Sequence, residues 1–471
     1  MGYENRLSPQ EQYVFDDTHH IEELADLELG TPVSVSGRVL GRREMKNYTF
    51  MDLHDETASV QVISSAETTP EHESINSVGV GDYVAVDGSL GESKTGERSV
   101  FATDWVLVAQ TQQSFPDMRS GGLTDPDTIA RQRYLDLATN RKSMDRFRTR
   151  SQVVSLTRRY MEEQGFMEVE TPVLQPIHGG ASARPFETHH NALDMELSLR
   201  IAPELYLKRL VVGGLKRVYE IGKVFRNEGV STRHNPEFTM MEAYAAGWDF
   251  EGQMKLTEEL VGHLALAVHG STSIEYQGKE VDLSTPWPRL TMDSLVSEAI
   301  GDEVSIDTDI STLRSMCEKH DIEYDENFGQ GKLLLELYEK LAESKLWGPV
   351  FVTEHPVEVS PLAREHRTRK GYTERFEGIV AGRELCNAFT ELNDPKIQYE
   401  RFKDQEATSG TDEEAMKMDH DYIRALQYGL PPTAGMGIGI DRLVMLLTDS
   451  PSIKDVILFP TQRPDNYISP Y

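Results

Sequence analysis

Residues 226–244 read RNEGVSTRHNPEFTMMEAY. The stretch opens with Arg226 and Glu228, two apart. Gly229 then turns the chain, and a second basic pair follows, Arg233 and His234. Asn235 and Pro236 lead into an alternating run from Glu237 to Glu242. Polar turn residues between two extended runs predict a strand, a loop and a second strand. The residue types suit a bound nucleotide. Arginine grips a phosphate with two parallel hydrogen bonds. A glutamate accepts from an exocyclic amine, and Phe238 offers a flat face to a base.

FRNEG followed by RHNPEFTMMEAY closely resembles motif 2 of the class II aminoacyl-tRNA synthetases, in the form carried by lysyl-tRNA synthetases. Upstream, residues 145–164 have helical periodicity through Phe147, Val154, Tyr160 and Met161, and Gly165 ends that helix. FMEVETPVL (166–174) is then an extended run, with Pro172 fixing an edge or a terminus. Helix, strand and proline resemble motif 1, which in the family forms the homodimer interface. HGGASARPF (178–186) follows, with Gly179 and Gly180 permitting a tight loop against a ligand. His189 and His190 are adjacent on a predicted strand and so face opposite ways, which argues against a shared metal. APELYLKRL (202–210) starts a helix with Pro203 near its beginning and Glu204 near its positive end. Downstream, RFEGIVAGRELCNAFTELNDP (375–395) carries Glu377, Glu384 and Glu391. Two strand-borne glutamates beside a nucleotide can hold magnesium; pairing with neighbouring arginines is the alternative. Gly435, Gly437 and Gly439 alternate before a helix carrying Arg442, which is not the GxGxxG of a dinucleotide fold. That segment resembles motif 3. HIGH and KMSKS, the signatures of the other synthetase class, are absent.

The N-terminal third has another pattern. VSVSGRVLGRR, YTFMDLHDETASVQVIS, GDYVAVDGSLGES and ERSVFATDWVLVA are short alternating runs punctuated by glycines. They predict a small β-barrel, best an OB-fold. Arg38, Arg42, Arg43 and Lys46 form a basic cluster beside Phe50 and Gln61. Arginines next to a stacking aromatic suit single-stranded RNA; a core Phe50 under solvated arginines is the bland alternative. The segment resembles the anticodon-binding domain of the lysyl, aspartyl and asparaginyl enzymes. The expected organisation is a lead-in at 1–31, the barrel at 32–110, a linker at 111–140 and a catalytic domain at 141–471. That domain has a helical insertion at about 250–365 with no assignable chemistry. Arg131, Arg133, Arg141, Lys142, Arg146, Arg148 and Arg150 make a second basic zone, read as an exposed helix face or an RNA contact.

Composition bounds the rest. A chain of 471 residues makes two or three domains with ample core. Mean hydropathy is -0.47, and no apolar run approaches the roughly 18 residues of a membrane helix. The N-terminus is polar, without an apolar signal core, and Arg6 breaks the myristoylation pattern. Cys317 and Cys386 are the only cysteines and form no CxxC pair, so a reducing cytoplasm is expected. The net charge of -30 argues against non-specific coating of nucleic acid, but not against local basic patches. Acidity of this size fits a salt-rich cytosol, and equally many ordinary acidic cytosolic enzymes.

The resemblance spans residues 32–460, with its motifs in the expected order. It implies an α+β protein: an OB-fold barrel plus the class II antiparallel sheet flanked by helices. It implies a cytoplasmic homodimer, with no membrane partner, that joins L-lysine to tRNA(Lys) with ATP and Mg2+. On the matching positions, Arg226 would hold the α-phosphate, Arg442 the γ-phosphate, and His234 would sit near the outer phosphates. Phe238 and Glu228 would take adenine, and Glu377 and Glu384 magnesium. Glu391, with Tyr244 beside it, would take the lysine side-chain ammonium. Glu204 and Glu242 would bracket the α-amino group, and Gly180, Asn387 and Phe389 would shape the pocket. Arg42, Phe50 and Gln61 would lie on the anticodon. Ser198 stands where an aromatic is expected, and Cys386 where small residues are usual. Three alternatives share parts of this pattern. They are an aspartyl or asparaginyl enzyme, a lysine ligase acting on elongation factor P, and a non-catalytic tRNA-binding paralogue. The first should lack the acidic pocket, the second the barrel, and the third Arg226, Glu384 or Arg442.

Overall fold

A computed structural model describes residues 17–70, 72–116, 122–408 and 417–464. Most of the N-terminal lead-in and part of the linker lie outside the described residues. The chain divides into two compact units, residues 1–145 and 146–471.

The first unit holds a closed five-stranded barrel: β1 (Pro32–Met45), β2 (Tyr48–His54), β3 (Ser59–Ser65), β4 (Tyr83–Glu92) and β5 (Arg98–Ala109), ordered β1-β2-β3-β5-β4. Alternation writes the barrel. On β2, Thr49, Met51 and Leu53 point inward, while Phe50, Asp52 and His54 do not. Valines of β1, β3, β4 and β5 fill the interior with Met51 and Leu53 of β2 and Trp105 of β5. A bulge between Val39 and Gly41 bends β1, so the long strand serves two neighbours. A side chain at Gly41 would strike the Asp52 carboxylate. Helices α1 (Pro126–Arg131) and α2 (Arg133–Thr139) then occupy much of the expected linker.

Helix α3 (Arg141–Glu163) leads into β6 (Met167–Glu168). The run around Pro172 is not one strand. β6 pairs with the main sheet, whereas β7 (Leu174–Gln175) joins β8 (Glu187–His190) and β9 (Met195–Leu199) in a separate three-stranded sheet. Proline has no N–H for a ladder, so the chain changes sheets there. His189 pairs with Asp194 and Glu196, and His190 accepts from the Leu193 amide.

Then come α4 (Glu204–Val212), β10 (Arg217–Phe225), β11 (Glu237–Ala246) and α5 (Phe250–His269), followed by the hairpin β12 (Ser273–Tyr276) and β13 (Lys279–Asp282). Next are β14 (Arg289–Thr291), α6 (Met292–Ile300), α7 (Ile310–Lys319), α8 (Gln330–Leu341) and β15 (Val350–Thr353). The chain closes with β16 (Arg375–Val380), β17 (Arg383–Thr390), α9 (Pro395–Thr408), α10 (His420–Gln427), β18 (Thr433–Gly439), α11 (Ile440–Leu447) and α12 (Ile453–Val456). Eight strands form one sheet, ordered β14-β15-β16-β17-β18-β11-β10-β6, antiparallel except at its two edges. The segment expected to be a helical insertion is therefore mixed. Helices α6–α8 build their own core, but β14 and β15 extend the main sheet. β15 is four residues, all buried, and shows no alternation to read.

One face of the sheet packs on α5 and α11. Met241, Ala243, Phe376, Ala388, Met436 and Ile438 meet Leu256, Leu260, Leu264, Leu443 and Val444 there. Cys386 is buried in this layer. The alternate residues of the same strands, Glu242 and Tyr244, Arg375 and Glu377, Asn387 and Phe389, line a cavity on the other face.

Candidate active site

The cavity measures about 400 Å³ and holds most of the residues singled out in the catalytic half. Its openness comes from β18. Gly435, Gly437 and Gly439 alternate with Met436 and Ile438, so the strand sends side chains to the core and none to the cavity. A side chain at Gly435 would run into Glu391 Oε1 and the Tyr244 ring; one at Gly437 would press on Met240.

At one end lie the groups read as nucleotide-binding. The loop between β10 and β11 is tied by the Arg226 amide to the Pro236 carbonyl at 2.8 Å, and by the Ser231 amide to the His234 carbonyl at 3.0 Å. Arg226 Nε is buried without a hydrogen-bond partner, and its guanidinium carbon lies 5.2 Å from the Phe238 ring centre. Burial lowers its pKa from the usual arginine value. An unpartnered buried N–H on a charged group is costly unless an acceptor meets it. Burial and nearby Arg442 lower the pKa of His234, so its imidazole is neutral at pH 7. Glu228 lines the same end and is exposed.

Arg442 starts on α11. It donates to the Glu384 carbonyl at 2.7 Å and to its carboxylate at 3.0 Å. Arg375 donates to Glu377 at 2.7 Å and to Asn387 at 2.9 Å. Both proposed magnesium carboxylates are thus paired with arginines, as the alternative reading had it. Each keeps its second oxygen without a hydrogen bond among the described residues. Burial pushes the Glu384 carboxyl up, but Arg442, Arg226 and Arg375 more than offset this and hold it below the usual range. Burial, with Glu384, Glu343 and Glu339 near, pushes Glu377 up to about 7 in spite of Arg375. This excess of negative charge fits a cation. Among the described residues no group of three or more His, Cys, Asp or Glu is arranged to hold a metal alone. Two carboxylates sharing the ion with nucleotide phosphates is the usual magnesium arrangement.

The other end is acidic. Glu204 and Glu242 are buried and line the cavity. Tyr244 donates its hydroxyl to Glu242 at 3.0 Å, which leaves its oxygen as an acceptor. Burial, with Glu204 close by, pushes Glu242 up to about 8. Glu391 is not itself a lining residue. It stands just past the end of β17, with Oε1 against Gly435, and that oxygen is buried without a partner. Oε2 accepts from Lys208 at 2.7 Å, and Lys208 also donates to Glu204 at 2.6 Å. Burial and Glu204 push Glu391 up to about 8 against the pull of Lys208. The two carboxylates outweigh burial at Lys208 and hold its pKa well above the usual lysine value.

Three residues here were missed or misread from sequence. Lys208 went unnoticed. Arg375 was unassigned, although it lies two before Glu377 on a strand and so shares its face. Arg150 belongs to the basic zone read as an exposed helix face or an RNA contact. Instead it pairs with Asp441 at 2.5 Å and donates to the Val456 carbonyl at 3.0 Å. Asp441 in turn accepts from the Thr239 amide at 2.6 Å, joining α3, β11 and α11. Arg133 of the same zone is buried against Asp136 at 2.7 Å.

In the barrel, Phe50 lies outside the core, which corrects the bland alternative. Arg43 stands over its ring at 4.9 Å. Arg42 donates to Asn76 at 3.0 Å and Glu44 at 3.2 Å, and Gln61 donates to Glu97 at 2.9 Å. Register places Arg43 opposite Phe50, and Asp52 opposite Gln61. Phe50 and Gln61 thus lie on neighbouring strands of one barrel side.

Comparison with known proteins agrees with both units. The family model "tRNA synthetases class II (D, K and N)" matches residues 125–463, and "OB-fold nucleic acid binding domain" matches residues 33–108. A lysine–tRNA ligase of Bacillus cytotoxicus is 46% identical over 463 residues, covering 95% of this chain and 92% of that one. One of Listeria welshimeri is 48% identical over 464 residues, covering 97% and 92%. One of Synechococcus sp. is 48% identical over 470 residues, covering 96% and 93%.

Proposed function

Because the chain belongs to the class II lysyl-tRNA synthetases with an N-terminal OB-fold anticodon-binding domain, we infer that it is a lysine–tRNA ligase. It activates L-lysine with ATP to lysyl-adenylate and pyrophosphate, then passes lysine to the 3′ end of tRNA(Lys). The observation that carries lysine as the substrate is the buried acidic end of the cavity, where Glu204 and Glu242 line the wall and the unpartnered Oε1 of Glu391 lies against Gly435. An aspartyl or asparaginyl pocket needs cations or amides there. The barrel domain is what a ligase of elongation factor P would lack.

The lysine carboxylate is ionised at neutral pH and needs no general base. It attacks the α-phosphorus, so the task of the protein is alignment and charge stabilisation. In our reading Arg226 holds the α-phosphate and Arg442 the γ-phosphate. Neutral His234 donates a hydrogen bond near the outer phosphates, and Phe238 and Glu228 take adenine. Glu377 and Glu384 hold magnesium, which when bound draws charge from the phosphate oxygens. At the other end Glu204 and Glu242 take the α-ammonium, with Gly180, Asn387 and Phe389 as walls. Glu391 Oε1 and the Tyr244 oxygen take the side-chain ammonium. In the barrel, Phe50 with Arg42 and Gln61 reads the anticodon. Exposed Met167, Val173 and Leu174, following α3, support a homodimer built on this segment. Among the described residues no helix is long and apolar enough to cross a membrane; we place the enzyme in the cytoplasm.

The test is ATP–pyrophosphate exchange across the standard amino acids. Lysine alone should support it. Exchange with aspartate or asparagine moves the assignment to a sister enzyme, and no exchange by folded protein with magnesium overturns catalysis.

A further inference from the structure

Helix α4 buries one charged pair among apolar neighbours. Leu205, Leu207 and Val211 pack into the core beside it, yet Lys208 is fully buried and carries its ammonium inside. The Nζ atom lies 5.9 Å from the Phe389 ring centre and 5.3 Å from that of Tyr422. A buried ion pair contributes little to stability compared with apolar side chains of the same volume. What this pair does is fix geometry. Glu391 has one oxygen on Lys208, and Lys208 is itself held by Glu204. The remaining oxygen, Oε1, is orphaned and faces Gly435, where a side chain would strike it. The carboxylate therefore cannot swing to meet a ligand. A ligand must reach it.

Resting on the reading of this cavity as the lysine site, we propose that Lys208 is a positioning residue that sets side-chain length selectivity, by locking Glu391 so that only an ammonium as far from its α-carbon as that of lysine reaches Oε1. Ornithine is one methylene shorter and falls short of a fixed acceptor. With Glu391 released, the carboxylate can advance toward the shorter ammonium. Once Glu204, Glu242 and Glu391 are all ionised, Lys208 leaves them with a net charge of -2, matching the two ammonium groups of lysine.

The experiment compares lysine and ornithine in pyrophosphate exchange by the full-length protein, as the ratio of their kcat/KM values. Both are measured on one sample, so the folded fraction cancels. A single methylene is worth about 10–200-fold in such a ratio. In Lys208→Met the ratio should collapse by about tenfold or more, with KM for ATP within about twofold of wild type. In Lys208→Arg, which keeps a cation between the carboxylates, it should stay nearer to wild type. An unchanged ratio in Lys208→Met, or an equal collapse in Lys208→Arg, overturns the proposal and leaves a structural counter-ion. Should Lys208→Met not fold, a wild-type structure with lysine and a non-hydrolysable ATP analogue decides. The Lys208–Glu391 pair should persist with the ligand ammonium on Oε1; a ligand that displaces Lys208 from Oε2 overturns it. If wild-type protein shows no exchange with lysine, the lysine–tRNA ligase reading fails instead, which is a separate result.

Discussion

Replacing Glu391 by glutamine keeps the shape of the side chain and removes its charge, and Lys208 dictates how the amide settles. The Lys208 ammonium is a donor only, and it sits 2.7 Å from Oε2. The amide must turn its carbonyl oxygen there. Its NH2 group then takes the place of Oε1 beside Gly435, and a donor faces the incoming ammonium. The lost interaction is a hydrogen bond between charged groups, about 1.5–3 kcal/mol. That converts to about 10- to 150-fold in kcat/KM for lysine. The larger figure for breaking a buried pair, about 3–5 kcal/mol, is an upper bound. It does not apply to stability here, because Lys208 keeps Glu204 as a partner at 2.6 Å. Glu391 is pushed up to about 8 in the free protein, so at neutral pH the neutral amide replaces a carboxyl that already holds its proton. Exchange is measured with lysine varied at saturating ATP, then with ATP varied at saturating lysine, and a thermal melt is run alongside. We expect the lysine term to fall, the ATP term to hold, and the melting temperature to stay within a few degrees. An equal loss for both ligands refutes the reasoning, as does an unchanged lysine term.

Gly435→Ala places a methyl group against Glu391 Oε1 and Tyr244; overpacking of about 1–3 kcal/mol should appear as weaker lysine binding, and an unchanged lysine KM would show that the ligand does not reach this floor. Lysine binding should strengthen as pH rises from about 6 toward 8. Glu242 and Glu391 are pushed up to about 8 in the free protein, so each must shed its proton to meet an ammonium, with at most tenfold in affinity per pH unit per proton. Calorimetry in buffers of different ionisation enthalpy should register released protons, and zero release counts against it. The same raised values mean that these groups erode the stability of the unliganded fold as pH climbs from about 4.5 through 8. In the barrel, Phe50→Ala removes a stacking surface worth about 1–3 kcal/mol per base; tRNA charging should drop about 5- to 150-fold relative to tRNA-independent exchange, and an unmoved ratio removes Phe50 from the anticodon.

What sequence could deliver followed from how local each signal is. The 226–244 stretch carries its own turn and its own ligand chemistry within twenty residues, and alternation in the barrel strands needs no distant partner. Lys208 is the opposite case. Glutamate and lysine four apart on a helix read as a solvated pair, and the residue that changes their meaning, Glu391, comes 183 positions later. Arg150 is hidden in the same way, since Asp441 lies 291 positions on. β14 and β15 were lost for another reason: strands of three and four residues inside a helical stretch are too short to show a period. Yet one clue to Lys208 was local. Residues 204, 208 and 211 fall on one face of α4 at spacings of four and three, and Val211 marks that face as inward. A glutamate and a lysine on an inward stripe cannot be a solvated pair. They must find a further partner or leave a charge uncompensated, at a cost of several kcal/mol. That reasoning, applied to APELYLKRLVV alone, predicts a buried acid from elsewhere in the chain, and Glu391, the carboxylate that the resemblance assigns to the lysine side chain, supplies it.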